Sequence, residues 1–280
     1  MTYKDYITTV YVIVDEVLKL IGHKHKTNKP KFSDSELITL LVYATTFRKG
    51  EIKSTLKEFK ENYSDMFPYV PELPAIVKRA KKLKKLVKIL IILVKNLLSN
   101  KESLIAILDT KPIPVCELTR IKRCKKVSGK LYKGNNGHRE WFGYKLGLII
   151  DTYEQPISFN IMPASKHDIN ALKEFKEEQT IINLLNGKIL IADKAFNSKG
   201  LKEELKKICI ELEAIKKGKI HHKQKKKQTF LKTIRKKIET TFSRLKYMGI
   251  ESIKAVSLEG FLAKIHFFIL ALQFKIILKV

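Results

Sequence analysis

The chain has 280 residues, of which 44% are hydrophobic and 9% aromatic, and this composition excludes a disordered or fibrous protein. Lysine and arginine number 56 against 28 aspartate and glutamate residues, so the formal net charge is +28. Such an excess predicts a polyanionic partner, and nucleic acid is the first candidate.

Helical patterns fill the first hundred residues. Apolar spacing predicts a first helix over Tyr3 to Ile21, and the S-x-x-E capping box from Ser33 to Glu36 opens a second. A third helix is predicted over Ile52 to Tyr63, and a long basic one over Ala75 to Leu98. Two interpretations remain open for this N-terminal helical domain, residues 1–100: a DNA-binding bundle, or a bundle whose lysines only face water.

Strand patterns begin after residue 100. The predicted order is strand, hairpin, helix, strand, helix, strand, helix, which indicates a mixed sheet with helices packed against it in a second domain, residues 101–280. The predicted strands cover Leu104 to Leu108, Tyr144 to Ile150, Pro156 to Ile161, Lys188 to Ala192 and Cys209 to Ile215. Helices are predicted over Asp168 to Leu185, Lys199 to Lys207 and Ile238 to Lys246, and from Leu258 onward.

Two apolar stretches have the hydrophobicity of membrane spans, Leu86 to Leu98 and Phe261 to Val280. Lysines interrupt both, so we expect buried helices and no membrane insertion. The N-terminus lacks the apolar core of a signal peptide. The three cysteines have neither zinc-finger spacing nor the number that a disulfide framework needs. Reduced thiols in a cytoplasmic protein are therefore expected.

Three carboxylates stand in positions that suit chemistry. Asp109 and Asp193 each follow a short apolar strand, where a rigidly held carboxylate can meet a metal or substrate; a cap or turn role is the alternative. Glu239 lies in a predicted helix that brings Arg235 and Lys246 near the same face, at offsets of four and seven. The alternative for Arg235 and Glu239 is an ordinary surface ion pair.

Carboxylates of this kind suit phosphodiester chemistry. Cleavage and transfer place an attacking and a leaving oxygen in line on one phosphorus, and two divalent ions about 3.5–4 Å apart can stabilise both. Aspartate and glutamate oxygens are the ligands that Mg²⁺ and Mn²⁺ prefer. Arginine and lysine on a neighbouring face would hold the DNA phosphates.

Six segments carry a family resemblance: SDSELITL, LDTKPIPVCELTRIKRCKK, WFGYKLGLIID, PASKHDINALKEF, LIADKAFNS and RKKIETTFSRLKYMGIESIKAVSLEGFLAKIHFFILA. In these segments the chain resembles bacterial insertion-sequence transposases of the Asp-Asp-Glu class, and most of all the insertion-sequence 982 group. The intervals of 84 and 46 residues between Asp109, Asp193 and Glu239 are also typical of the family.

The resemblance implies a ribonuclease-H-like mixed sheet flanked by helices, preceded by a small all-helical domain. It also implies that Asp109, Asp193 and Glu239 are the catalytic and metal-binding triad for two ions, Mg²⁺ or Mn²⁺. The residues Arg235, Glu239 and Lys246 match the last three members of a Tyr-Arg-Glu-Lys signature. Three positions depart from the family pattern: Lys232 at the tyrosine of that signature, Thr110 where serine is usual, and Lys111.

A basic tract, Lys216 to Lys237, holds eleven lysine or arginine residues in 22 positions directly before Glu239. Such a run is often only a solvated segment, but its place beside the triad favours a loop that tracks DNA phosphates. The residues predicted to bind DNA are Arg235, Lys246, Lys225, Lys226, Lys227, Lys236 and Lys237.

The function implied by the resemblance is DNA transposition. A water would first release a 3′-hydroxyl at each end of the element, and that hydroxyl would then attack the target DNA. The expected partners are DNA, as terminal inverted repeats and as target, and further copies of the chain in a homodimer or larger assembly. Two alternatives remain open: a non-catalytic DNA-binding protein left from an inactive transposase, and a nuclease of the same fold that only hydrolyses DNA.

Overall fold

The computed structural model of the chain describes residues 1–24, 30–98, 102–137, 139–215 and 222–280, without the side chains of residues 222–224. Two compact units are formed. One is Asn100–Arg244, and the other combines Met1–Ser99 with Leu245–Val280. The predicted division into residues 1–100 and 101–280 differs from these units in the last segment, which packs with the N-terminal helices.

The helical unit contains six helices among its described residues: α1 (Tyr3–Leu20), α2 (Asp34–Phe47), α3 (Ile52–Asn62), α4 (Leu73–Lys82), α5 (Lys84–Leu98) and α10 (Leu258–Ile277). The predicted capping box is confirmed, since Ser33 Oγ accepts from the Glu36 amide and the Glu36 carboxylate accepts from the Ser33 amide. The predicted single helix over Ala75 to Leu98 is wrong. Instead, α4 ends at Lys82 and α5 begins at Lys84, so the segment is divided at Leu83, where ψ is −1°.

Helix α10 is predominantly apolar. In the described part of the chain it is the one helix long and apolar enough to cross a membrane, and 61% of its apolar window is buried inside the protein. It packs against α2 and α5, and Gln273 Nε2 donates to the Ile91 carbonyl at 2.8 Å. These contacts are those of a buried core helix, as the sequence predicted.

A six-stranded sheet forms the centre of the other unit. The strands are β1 (Ile105–Cys116), β2 (Lys133–Asn135), β3 (Glu140–Asp151), β4 (Pro156–Pro163), β5 (Ile189–Ala192) and β6 (Glu211–Ala214). Their order is β2-β3-β1-β5-β6, with β4 also paired to β3. The β1–β3 and β3–β4 pairs are antiparallel, whereas β1–β5 and β5–β6 are parallel. The predicted hairpin and the predicted mixed sheet are therefore confirmed.

Helices cover both faces of this sheet: α6 (Ile169–Lys176), α7 (Gln179–Leu185), α8 (Lys199–Lys207) and α9 (His222–Tyr247). Side chains of a strand alternate between the two faces. Leu108 and Leu190 pack with Phe175 of α6 and Leu201 of α8. Ile191 points the other way and packs with Leu231 of α9. The predicted single helix over 168–185 is wrong, because α6 and α7 are separate.

Candidate active site

Asp109 lies inside a long strand. The prediction that the first strand ends at Leu108 is wrong, since β1 continues to Cys116 and Asp109 stands opposite Leu148 of β3. The parallel neighbour β5 stops earlier, and its last pair with β1 is Leu108–Ala192. Asp109 is thus paired with β3 on one side of β1, whereas on the other side β5 has already ended. This position combines a rigid backbone with access to the side chain.

Asp193 follows β5 directly, with an extended backbone at φ −69° and ψ 166°. Leu108 and Ala192 are paired across the parallel strands β1 and β5, and Asp109 and Asp193 are the next residue of each chain segment. Neighbouring strands of a sheet lie about 4.8 Å apart. Alternation from Ile191 places both aspartates on the sheet face that α9 covers. The carboxylate of Asp193 makes no hydrogen bond with a described residue. Two of the three predicted carboxylates are thereby neighbours.

Helix α9 supplies the cation and the third carboxylate. Arg235 Nη2 donates to Asp109 Oδ2 at 2.9 Å, while Arg235 Nη1 lies 3.1 Å from Glu239 Oε1, one helical turn away. The other oxygen of Asp109, Oδ1, accepts from the Thr110 amide at 2.8 Å. The exposed fractions of the side chains are 15% for Asp109, 23% for Arg235 and 54% for Glu239. The i,i+4 pair between Arg235 and Glu239 is present, and Arg235 also binds the partly buried Asp109 of β1.

The charges of the cluster influence one another. Burial raises the pKa of Asp109, and the negative charge of Asp193 adds to the rise, against the opposing effect of Arg235. Burial also opposes the charge of Arg235, but the carboxylates of Asp109, Asp193 and Glu239 outweigh it and raise the pKa of the guanidinium. Arg235 Nε is buried and finds no acceptor among the described residues. One guanidinium thus faces three carboxylates and keeps a donor unused.

A divalent metal is what the resemblance implies for this cluster. Among the described residues, no group of three histidine, cysteine, aspartate or glutamate side chains is arranged to hold a metal ion. Arg235 lies between Asp109 and Glu239 and binds one oxygen of each. The donor chemistry nonetheless fits, because carboxylate oxygens suit Mg²⁺ and Mn²⁺ and Arg235 alone does not balance three negative charges.

The predicted DNA-binding lysines lie along α9. The prediction of a loop over Lys216 to Lys237 is wrong from His222 onward, where the chain is helical; residues 216–221 are outside the described residues. Buried positions such as Leu231 and Ile238 form the inner side of this helix. The lysines predicted to bind DNA are Lys225, Lys226, Lys227, Lys236, Lys237 and Lys246. All are exposed except the half-buried Lys237, and Lys227 is paired with Glu213.

Lys111, one of the departures from the family pattern, lies close to the carboxylate cluster in sequence and faces α9. It lies two residues after Asp109 on β1, so its side chain is on the same sheet face. Its Nζ lies 5.8 Å from the ring centroid of Phe242 of α9. Strand alternation beyond Asp109 was the signal available in the sequence, and it was missed because the strand was expected to end there.

Comparison with known proteins gives one family match. The family model of the Transposase DDE domain matches residues 100–274, which is more than half of the chain. A Mos1 transposase paired-end complex with left transposon end is 11% identical, with TM-score 0.25, and the match covers 84% of this chain and 86% of that one. A pre-cleavage Mos1 transpososome is 12% identical, with TM-score 0.23, and that match covers 83% of this chain and 82% of the other chain. No curated protein matches the chain.

Proposed function

Because the chain belongs to the Transposase DDE domain family, we propose that it cuts DNA at the ends of an insertion sequence and joins them to target DNA. The single observation that carries this proposal is the cluster of Asp109 and Asp193 on one sheet face, with Arg235 and Glu239 of α9 beside them. The assignment to the insertion-sequence 982 group is part of the proposal and rests on the six segments quoted above.

Asp109, Asp193 and Glu239 are the residues that would hold two ions of Mg²⁺ or Mn²⁺. When bound, such ions stabilise negative charge on the attacking and leaving oxygens of one phosphorus. Arg235 has a second role in this scheme, because a guanidinium beside the carboxylates can bind phosphate oxygens in pairs. A water and then a 3′-hydroxyl act as nucleophiles, so no serine or tyrosine nucleophile is needed.

DNA is the proposed partner, both as terminal inverted repeats and as target. Exposed lysines on the outer side of α9, among them Lys225, Lys226 and Lys236, extend a positive surface from the carboxylate cluster along the helix. Such contacts neutralise phosphates without reading sequence. Joining requires two ends at once, so the proposed active form is a homodimer or larger assembly on DNA, in the cytoplasm.

One observation favours a second function, that of a non-catalytic DNA-binding protein. Arg235 pairs with both Asp109 and Glu239, and it thereby reduces the repulsion between these carboxylates and DNA phosphates. A protein that only holds terminal repeats would need no metal at this position. The two functions differ in one measurable property, metal-dependent cleavage.

The test uses the full chain with DNA from both ends of its own locus, with Mg²⁺ or Mn²⁺ or with EDTA. Asp193→Asn is compared with the control variant Glu203→Gln. Glu203 is an exposed residue of α8, so the control removes one negative charge from the same unit outside the proposed site. We expect cleavage and joining by the parent and by Glu203→Gln, and loss of both in EDTA and in Asp193→Asn.

Each other result has a defined meaning. Cleavage that survives Asp193→Asn would contradict the site. DNA binding without cleavage in the parent, unchanged in the variant, would establish the non-catalytic function. Metal-dependent cleavage without joining into a plasmid target would identify a hydrolytic nuclease.

A further inference from the structure

A cavity of about 590 Å³ lies within the helical unit. It is formed by the end of α2, the loop from α2 to α3, α4, and the segment that leads into α10. This volume is within the range of small-molecule sites, about 300–1,000 Å³. Its floor is apolar, with one aromatic ring among small and aliphatic side chains: Leu41, Ala44, Val77, Ala80, Ala263 and Phe267.

The rim of this cavity is strongly positive. Its cationic side chains are Arg48, Lys49, Lys53, Lys81, Lys254 and Lys264, and the one acid among its lining residues is Glu51. Arg48 is already paired with Glu58. Lys49, Lys53 and Lys254 are exposed and form no ion pair with any residue that the structure describes. Six cationic side chains therefore line one opening, against the single acid Glu51 among the lining residues.

The loop between α2 and α3 is held in an unusual conformation. Lys49 has φ +51°, a left-handed value that is uncommon for a residue other than glycine. The next carbonyl, of Gly50, accepts from Lys264 Nζ at 2.9 Å. Burial lowers the pKa of Lys264, and the nearby charge of Lys254 lowers it further, against the opposing effect of Glu51. An anion in the cavity would stabilise the charged form of Lys264, which burial disfavours.

An apolar side chain at the same opening stands in water. Val256, also among the lining residues, is 99% exposed, so its methyl groups gain nothing from burial in the protein alone. A ligand with an apolar or flat part would cover it. The cavity thus offers two kinds of contact, apolar surface at the floor and rim, and unpaired lysines around them.

We propose that this cavity binds a nucleoside phosphate, with the base on the apolar floor and the phosphate between Lys49, Lys53 and Lys254. A planar heterocycle can pack against Phe267 and the small side chains beside it. A phosphate carries up to two negative charges and several acceptor oxygens, so it can use three lysines, whereas a single carboxylate would use fewer. The source is either a free nucleotide or an unpaired nucleotide of a DNA strand.

Equilibrium binding of dAMP to the full chain, followed by titration calorimetry, tests the proposal. Deoxyadenosine and inorganic phosphate are titrated as its two halves. We expect dAMP to bind at least about tenfold more tightly than either half, since each half makes only one of the two kinds of contact. Binding of either half as tight as that of dAMP would overturn the proposal.

Variants assign the binding to this cavity. The double substitution Lys53→Glu with Lys254→Glu should weaken dAMP binding about tenfold or more. Lys85→Glu, an exposed lysine of α5 outside the cavity, is the matched control and should change it less than twofold per charge. Val77→Phe fills the cavity from a half-buried position and should abolish binding without lowering the unfolding temperature. Equal losses in the control, or full binding to Val77→Phe, would refute the assignment.

Competition separates the two sources. Displacement of dAMP by single-stranded DNA of unrelated sequence, but not by duplex, would identify a nucleotide of a strand, whereas no displacement by either would identify a free nucleotide. Equal displacement by duplex would contradict the proposal, because a paired base does not enter a cavity. These measurements need no cleavage, so their failure is independent of the proposed function.

Discussion

Substitution of Arg235 by methionine isolates the ion pair at the centre of the cluster. Methionine keeps an unbranched side chain and a similar helix propensity, but removes the charge and the donors. Asp109, 15% exposed, would then lose its 2.9 Å bond and face Asp193 and Glu239 with no guanidinium between them. Removing one partner of a buried ion pair costs about 3–5 kcal/mol. Because Asp109 keeps some exposure and can take up a proton, we expect a loss of about 2–3 kcal/mol at pH 7.

The free energy of unfolding in urea, without metal, measures this loss at pH 7 and pH 5. Burial already raises the pKa of Asp109 above its unfolded value, and loss of the cation raises it further. At a pH between the pKa of Asp109 in the unfolded chain and its higher pKa in the folded variant, the folded protein binds a proton that the unfolded chain releases. The variant therefore regains stability as the pH falls. The double variant with Asp109→Asn should recover most of the loss, since both charges are then absent.

Lys236→Met is the matched control, because Lys236 is the exposed neighbour of Arg235 on the same helix. Its stability should stay within about 0.5 kcal/mol of the parent. The reasoning is refuted if Arg235→Met also changes stability by no more than that amount, or if Asp109→Asn adds a further loss in the double variant.

Two further predictions concern stability, one in the helical unit and one in the unit that contains the sheet. Burial lowers the pKa of His266 to about 4, and Lys84 adds to the effect; an unfolded histidine titrates near 6.5. Stability is therefore complete above pH 6.5 and falls towards pH 4, by about 2 kcal/mol at pH 5 relative to a His266→Gln reference in urea unfolding. In the sheet, a Cβ on Gly143, at φ +154°, would lie 2.5 Å from the Ile113 carbonyl oxygen, so Gly143→Ala should lose more than about 2 kcal/mol. Gly200→Ala, which meets nothing within 4 Å in α8, should gain up to about 1 kcal/mol. A Gly143→Ala variant as stable as Gly200→Ala would contradict this account.

The sequence predicted the order of elements because each short apolar strand and each capped helix carries its own local pattern. It failed on the second half of β1, where Lys111, Pro112 and Pro114 break the apolar run. Prolines in a strand normally indicate a loop. Here they are tolerated because β5 stops at Ala192. The missing N–H groups can therefore face a side of β1 that has no strand partner there among the described residues.

The contacts between distant segments were beyond the sequence patterns. The spacing of Arg235 and Glu239 predicted a shared helix face, but the bond from Arg235 to Asp109 joins residues 126 positions apart. It depends on which sheet face α9 covers, and this is decided by packing of Leu231 on Ile191. In the same way, the apolar pattern of α10 predicted burial but contained no signal that its partners would be α2 and α5.

Arg235 connects the stability of the site with its proposed chemistry. Without metal it offsets the repulsion among three carboxylates, so its loss must destabilise the protein. If Mg²⁺ binds the same carboxylates, the ion replaces part of that charge and should raise the stability of Arg235→Met more than that of the parent, since binding to the folded state alone stabilises it. DNA cleavage should fall in the same variant, because the donors for phosphate are gone. A stability that does not respond to Mg²⁺ in Arg235→Met, although cleavage is lost, would assign Arg235 to DNA binding and leave the metal outside this cluster.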